Sequence, residues 1–423
     1  MSWRLVTLLL AALIVLVGAL PVSAWQLHGF VDARSGLRLH NAAGQRRAIL
    51  NETRLQLDLS HDSDWAQWRL RGDVIADEAA GAHDFDLELG HGVLDMREAN
   101  VLLYPLDCLD VKIGRQILTW GTGDLLFIND MFPKDWQSFF LGRDEEYLKA
   151  PSDAVLASFY FDGVNLDVVY TPQFDSDRYI SGERLSYWNP MFGRHAVRSD
   201  GLRVDRRNRA FSEDEFSVRL YRDVKGYELA LYGYSGYWKN PVGFDAASGR
   251  QSFPRLDVYG ASGRGGLFGG IFNIEGGFYN SRDDRGGDDP NVPNSEYRLL
   301  LGYEHELARD FSAAGQYYLE YLDHYGNYRA ALPAAVHARE RCRHVFTLRL
   351  TRQALSQNLT LSLFCYWSPS DEDGYLRPIV KYKASDAVSI YVGGNLFLGR
   401  RCDTFFGQFE DNNNLYLGAR YSF

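Results

Sequence analysis

The chain has 423 residues, of which 46% are hydrophobic, 14% aromatic and 24% charged, and its formal net charge is −10. Its apolar fraction is close to the globular average, so the composition excludes a long disordered protein and a bundle of membrane helices. Length alone would suggest roughly two or three soluble domains, but the order of the residues favours one large β-barrel.

The first 24 residues have the pattern of a secretory signal peptide. Arg4 precedes a nearly continuous apolar run over 5–17, and Ser23-Ala24 closes a small-residue cleavage pattern. A retained membrane helix is the alternative, but the apolar run is short and no stop-transfer charges follow it. We therefore predict that residues 1–24 are a cleaved signal peptide and that the mature chain is exported.

Beyond Ala24, polar and apolar residues alternate in repeated segments. Glu52 and Arg54, for example, alternate with Thr53 and Leu55. Alternation with a period of two predicts strands, and its repetition in segments of about ten residues is typical of outer-membrane barrels. The predicted strands lie near 26–39, 50–60, 64–77, 94–104, 108–118, 153–161, 163–172, 213–222, 226–238, 254–263, 267–280, 296–306, 310–323, 342–353, 357–367, 374–384, 387–399 and 414–423.

The connections between these segments are alternately short and long, as expected for short periplasmic turns and longer outer loops. The short links fall at 62–63, 105–107, 162, 223–225, 264–266, 308–309, 354–356 and 385–386. The long ones fall at 40–49, 78–93, 119–152, 173–212, 239–253, 281–295, 324–341 and 400–413, and the outer link 368–373 is an exception because it is brief. Residues 25–423 are therefore predicted to form one all-β, transmembrane, antiparallel up-and-down barrel of about 18 strands, with 16 to 20 as the open range.

Two features resemble known bacterial families. The last segment places Leu417, Ala419, Tyr421 and Phe423 on one apolar face and stops at Phe423, which resembles the closing strand of outer-membrane porins. The pieces REA at 97–99, GRQ at 114–116 and WG at 120–121 resemble a pattern of poorly characterised proteobacterial porin-like and alginate-export-like barrels. The resemblance implies a Gram-negative outer-membrane location and passage of small or polymeric solutes, without naming a solute.

The inward faces of the predicted strands carry charged side chains. A barrel of about 16–18 strands is too wide for its own side chains to fill, so its lumen is expected to hold water. An arginine on the lipid side would cost roughly 2–4 kcal/mol at the bilayer midplane. The alternative is that these residues only solvate the inner wall and pair with one another. The predicted lumen charges are Arg54, Arg69, Arg71, Glu98, Arg115, Arg219, Arg298, Arg349, Arg377 and Arg420.

The 119–152 connection is too apolar to lie in solvent, because it contains a run such as Leu125-Leu126-Phe127. In position and length it resembles the third outer loop of general porins, which folds into the lumen and narrows it. We predict that it folds inward as a constriction, with covering of the barrel rim or binding of a partner as the alternatives. The charged residues of the predicted constriction are Asp124, Asp130, Asp135, Arg143, Asp144, Glu145 and Glu146.

The next outer connection has the opposite sign. Eight arginines lie between 178 and 209, against Glu183, Asp200 and Asp205. If this loop faces the acidic connection, the two would set an electric field across the channel. The alternative is an exposed loop whose arginines contact lipopolysaccharide phosphates.

No sequence motif points to an enzyme, a metal site or a cofactor. The four cysteines form no CxxC pair, the ten histidines lack metal-ligand spacing, and GxSxG, HExxH and phosphate-binding loops are absent from the sequence. Cys342 could pair with Cys402 or Cys365, and the connectivity is left open. A hydrolase is the least favoured class, with candidate histidines by location at His195, His324, His337 and His344.

The leading hypothesis is an outer-membrane, porin-like channel for passive diffusion of small polar or charged solutes. The alternative is a barrel scaffold that sheathes or docks a partner, such as an electron-conduit redox protein or polymer-export machinery. The expected contacts are outer-membrane lipid and lipopolysaccharide, with no nucleic acid. A homo-oligomer and a periplasmic partner are left open.

Overall fold

The computed structural model describes residues 25–79, 86–190, 192–334 and 336–423. The predicted signal peptide over 1–24 lies outside the described residues, as does part of the predicted loop 78–93. Eighteen strands form one antiparallel sheet, which confirms the predicted fold class. In chain order, β1 to β18 span Trp25–Arg38, Ala48–Asp62, Ala66–Asp77, Leu94–Leu106, Leu109–Gln116, Ser152–Phe161, Val164–Thr171, Glu215–Val224, Tyr227–Tyr237, Arg255–Leu267, Gly270–Ser281, Glu296–Ala308, Phe311–Leu322, Cys342–Ala354, Leu359–Ser368, Asp373–Lys383, Val388–Gly399 and Asn414–Ser422.

The sheet closes on itself. Each strand pairs with its neighbours in the sequence, and β1 also pairs with β18. Beyond the last strand, the Gly29 N–H donates to the Phe423 carbonyl and the Phe423 N–H donates to the Gly29 carbonyl, both at 3.0 Å. Closure removes the unpaired edges that an open sheet would present to other chains.

The two faces of each strand differ as the alternation predicts. On β18, Leu415 and Leu417 are 51% and 63% exposed, whereas Tyr416 between them is 3% exposed. Outward positions around the barrel carry Leu, Ile, Val and aromatic side chains, while many buried inward positions carry charges, including Asp32, Arg34 and Arg54. An apolar outer surface around a charged interior is the arrangement of a transmembrane barrel.

One predicted turn is wrong. The link predicted at 264–266 lies inside the hairpin of β10 and β11, and the chain turns instead at Phe268-Gly269, with φ of 48° and 79°. Two successive residues with positive φ are the backbone of a type I′ turn, which matches the twist of the paired strands. The Gly265-Gly266 pair was the stronger turn signal in the sequence, because a phenylalanine rarely adopts positive φ.

The connections at the outer end, which carries the long loops, contain small elements of their own. They are the helix α1 (Trp136–Leu141), the 3₁₀ helix Glu145–Leu148, the helix α2 (Tyr325–Ala331), the 3₁₀ helix Gly407–Asn412, and two hairpins, Tyr187–Asn189 with Arg194–Ala196 and Gly243–Asp245 with Arg250–Ser252. Among the helices of the described ranges, none has the length and apolar composition needed to span a membrane.

All four cysteines lie in the described ranges and are free. Cys108 is exposed in the short turn between β4 and β5, and Cys402 is exposed in the long connection between β17 and β18. Cys342 and Cys365 lie half-buried on β14 and β15.

Candidate channel constriction

The connection between β5 and β6, residues 117–151 and here called the inner loop, crosses the space inside the barrel. The Asn129 N–H donates to Glu275 of β11 at 2.7 Å, and Arg143 donates to Glu52 of β2. β11 is nine strands from β2 in either direction around the 18-strand sheet. A segment that bonds to both strands therefore extends across the lumen.

Local sequence explains how the inner loop turns within the lumen. Asp135 caps the N-terminus of α1, where its carboxylate accepts a hydrogen bond from the Ser138 N–H at 2.7 Å. Gly142 ends the helix with φ of 82°, a conformation that suits glycine. The chain then continues into Glu145–Leu148.

The helix α1 is held by aromatic rings of the barrel wall. Phe139 and Phe140 are both 2% exposed. The Phe140 ring lies 5.3 Å from that of Phe397 on β17, and the Phe139 ring lies 5.8 Å from that of Tyr375 on β16, both edge-on. Such contacts fix the loop against one side of the barrel.

The inner loop also presents carboxylates to arginines of the barrel wall. The acidic edge comprises Asp124, Asp144, Glu145 and Glu146. The arginine wall comprises Arg34 of β1, Arg349 of β14, Arg377 of β16 and Arg420 of β18.

The contacts between these two sets are direct. The Arg349 Nε donates to the Asp124 carboxylate at 2.7 Å, and the Arg377 guanidinium donates to Glu145 at 2.9 Å. Burial alone would raise the pKa of Asp144, but Arg420 and Arg34 beside it hold that pKa below its usual range. All four acids therefore face cations of the wall.

The acidic edge is also partly exposed. The side chains of Asp144, Asp124, Glu145 and Glu146 are 33%, 38%, 39% and 43% exposed. These carboxylates are therefore accessible to solvent while they are ion-paired.

Two of the predicted constriction residues lie elsewhere. Asp130 is buried and pairs with Lys134 at 3.0 Å, and Asp135 is buried at the cap of α1, where it accepts from Arg178 at 3.3 Å. Both stabilise the fold of the inner loop and are not part of its acidic edge. Arg143 lies next to the edge and binds Glu52.

The structure places the remaining predicted lumen charges in ion pairs along the inner wall. Arg71 pairs with Glu98 at 3.0 Å, and Arg115 pairs with Asp153 at 2.8 Å. The other pairs are Arg54 with Glu52 and Asp73, Arg69 with Asp58, Arg219 with Glu228, and Arg298 with Glu296.

Two residues that hold the inner loop were missed by the sequence analysis. Arg97 is 1% exposed and donates to the carbonyls of Glu146 and Lys149 at 3.1 and 2.6 Å. A register shift between β3 and β4 adds one residue at this point, so Arg97 and Glu98 both turn inward, against strict alternation. Glu275 is the second, and its only sequence signal is a lone carboxylate in the glycine-rich β11.

The arginines between 178 and 209 do not form the cationic side of this arrangement. Arg178 pairs with Asp95 at 2.7 Å and with Asp135, whereas Arg184 pairs with Asp77 and Arg206 pairs with Asp86. These contacts fasten this outer loop to β3, to β4, to the inner loop and to the 78–93 connection. The cations opposite the acidic edge belong to the barrel wall.

A second acidic group lies near the outer end, beside Arg115. Carboxylate oxygens of Glu88, Asp153 and Asp175 lie within 4.8 Å of one another. Burial, followed by the charges of Glu88 and Glu215, raises the pKa of Asp175 well above its usual range. The Asp175 carboxylate also accepts the Asp153 N–H at 3.1 Å.

No protein-family model and no curated protein sequence matches the chain. Among solved structures, the chain is similar to OmpF of Salmonella typhi in complex with daunomycin, with 9% identity, coverage of 94% of this chain and 97% of that one, and a TM-score of 0.45. It is also similar to engineered variants of the Rhodopseudomonas blastica porin, with 9% identity, coverage of 94% and 100%, and a TM-score of 0.40. The porin-like fold is established by this chain's own structure, namely the closed sheet of 18 strands with its apolar outer face and charged inner face.

Proposed function

We propose that the barrel is an outer-membrane channel for passive diffusion of small polar or charged solutes, and that the inner loop is its constriction. The supporting observation is the partly exposed acidic edge, which faces the arginine wall inside a closed barrel. A lumen with a charged, hydrated lining favours polar solutes over apolar ones.

The geometry suggests how such a constriction would select. The inner loop limits the free cross-section, because it bonds to strands on opposite sides of the barrel. Carboxylates on one side and guanidinium groups on the other create a field across the path, and the low-dielectric surround focuses that field. A dipolar solute would be oriented as it passes.

Planar bilayers with the purified mature chain test this proposal. We expect discrete single-channel conductance, and deletion of residues 124–149 should raise the conductance and admit larger solutes. Variants are checked first for a compact, heat-modifiable band on gels, so that loss of folding is not mistaken for loss of conduction.

Absence of conductance would also give a clear result. A correctly folded barrel that conducts no ions, with or without residues 124–149, would overturn the proposal that the protein is a channel. If that barrel co-purified with a redox protein or polymer-export protein, the scaffold hypothesis would take its place.

A further inference from the structure

A large cavity lies at the outer end of the barrel, and the proposed channel does not account for it. Its volume is about 960 Å³, and it is bounded by the inner loop, by the outer ends of β11 to β15 and by the long outer connections. Among the described residues that line it, none belongs to the acidic edge. Ligand cavities are typically about 300–1,000 Å³, so this one is large enough for an organic molecule of several rings.

One side of the cavity is apolar and aromatic. Leu125, Leu126, Phe127 and Trp136 of the inner loop line it, and they pack against the buried core while remaining only partly covered themselves. The ring of Trp136 lies edge-on to that of Phe127 at 6.2 Å. Covering such a surface stabilises a bound molecule by about 25 cal/mol per Å² of apolar area removed from water.

Another part of the lining carries charges that compensate one another. Three carboxylates of the cavity lining face three guanidinium groups of the same lining. The carboxylates are those of Glu296, Glu320 and Asp371, and the guanidinium groups are those of Arg298, Arg339 and Arg343.

The geometry of these pairs is close. The Arg298 Nε donates to Glu296 at 2.7 Å, and the Arg343 Nε donates to Asp371 at 2.6 Å. Arg343 also donates to Glu320 at 3.3 Å. A charged ligand would have to compete with these internal partners, and it would leave one of them unpaired in a partly buried site. An uncharged ligand avoids that cost.

We propose that this cavity binds an uncharged, aromatic organic solute, whose rings lie on the inner loop while its polar group meets the paired wall. This ligand class differs from the polar and charged solutes proposed for the channel. Binding here does not depend on conduction, so the two proposals fail separately.

The test uses the full mature chain in detergent and three naphthalene probes of similar size whose polar groups are neutral, anionic and cationic: 2-naphthalenemethanol, 2-naphthoate and 2-naphthylmethylammonium. Binding is measured by equilibrium dialysis against protein-free micelles. We expect the neutral probe to bind at least about tenfold more tightly than either charged probe. Equal or weaker binding of the neutral probe to the folded protein would overturn the proposal.

Leu126→Asp places a charge on the apolar side of the cavity and should lower the affinity for the neutral probe by about tenfold or more. Asn208→Asp is the matched control, because it adds the same charge to an exposed outer-loop position that does not line the cavity. If Leu126→Asp changes the affinity for the neutral probe no more than this control does, the probe does not bind at the apolar side of this cavity.

A second variant tests the charge argument if Leu126→Asp fails to fold. Arg343→Gln removes a partner of Asp371 and Glu320 and should raise the affinity of the cationic probe by about tenfold, with no gain for 2-naphthoate. No gain for the cation in folded Arg343→Gln would show that the wall charges do not govern the ligand class.

Discussion

At the scale of single residues, the acidic edge predicts opposite effects of two substitutions. Glu145→Gln leaves Arg349 and Arg377 with less negative charge beside them, so the permeability ratio should shift towards anions. Arg349→Gln leaves Asp124 and Glu145 less compensated and should shift the ratio towards cations. Each shift should be about twofold or more, because both groups face the restricted lumen.

Reversal potentials in a salt gradient measure both shifts. Asp200→Asn is the control, because Asp200 pairs with Arg194 at 2.7 Å in an outer loop. Shifts of the same sign in the two lumen variants, or an equal shift in the control, would contradict a constriction at the acidic edge.

The buried carboxyl group of Asp175 should make the stability of the folded barrel depend on pH. Burial raises its pKa in the folded chain. Its unfavourable contribution is therefore absent below the ordinary aspartate pKa of about 3.9, grows as the pH rises from there to the raised pKa, and is complete above it. Asp175→Asn removes this charge and keeps an oxygen for the Asp153 N–H. Its thermal midpoint in detergent should exceed that of the wild type at pH 8, and the gap should close towards about pH 4.

Asp200 supplies a control of opposite sign. Its hydrogen bonds from Arg194 and from the Val197 N–H lower its pKa to about 2. Its stabilising contribution is present above about pH 3.9 and is lost as the pH falls towards 2. Asp200→Asn should therefore lower the midpoint at neutral pH. A gap between Asp175→Asn and the wild type that does not change with pH would disprove the burial argument.

At the scale of elements, the end of α1 gives a prediction about packing. A Cβ on Gly142 would lie 2.1 Å from the Tyr416 ring, and the residue has φ of 82°. Gly142→Ala should therefore destabilise the barrel by about 1–3 kcal/mol from backbone strain, with a further loss from the ring contact. Denaturant unfolding of the detergent-solubilised barrel measures the free energy.

Gly249→Ala is the matched control for that experiment. Gly249 has φ of 67°, but a Cβ there would meet nothing within 4 Å. The strain is then similar in the two variants, and the excess loss in Gly142→Ala reports the contact with Tyr416. Equal losses would mean that α1 is not packed against β18.

The elements also show what the sequence could predict. The eighteen strands were predictable because apolar outward residues recur at every second position, and that pattern survives errors of a few residues at the ends. The position of Arg97 was not predictable, because one extra residue in β4 reverses the alternation. The roles of Asp130 and Asp135 were missed because the six-residue helix α1 is too short to have a periodic signal.

At the scale of the whole molecule, the last residue extends the pairing that closes the barrel. Phe423 exchanges two backbone hydrogen bonds with Gly29, and its ring lies 2.8 Å from where a Cβ on Gly29 would be. Deletion of Phe423 should lower the fraction of chains that reach the compact, heat-modifiable form, because the β1–β18 seam loses its end.

Phe268→Ala is the control for the deletion. Phe268 lies in a short turn, is 89% exposed and is away from the seam. It tests whether loss of any aromatic ring at this end impairs folding. Equal yields from the deletion and from wild type would contradict a role of the seam in assembly.

The inner loop ties distant parts of the barrel together. Arg143 binds β2, Asn129 binds β11 and Glu145 binds β14 and β16. Movement of the loop would have to break contacts on several sides at once. We therefore expect the loop to resist added protease until the barrel itself unfolds.

The two exposed cysteines have a practical consequence, because they lie at opposite ends of the barrel. Cys402 is in a long connection and Cys108 is in a short turn. A thiol reagent too large and too polar to cross the envelope should modify Cys402 on intact cells and reach Cys108 only after the cells are opened. The native chain thus carries its own reporters of sidedness, and the reverse labelling order would mean that the barrel is inserted upside down.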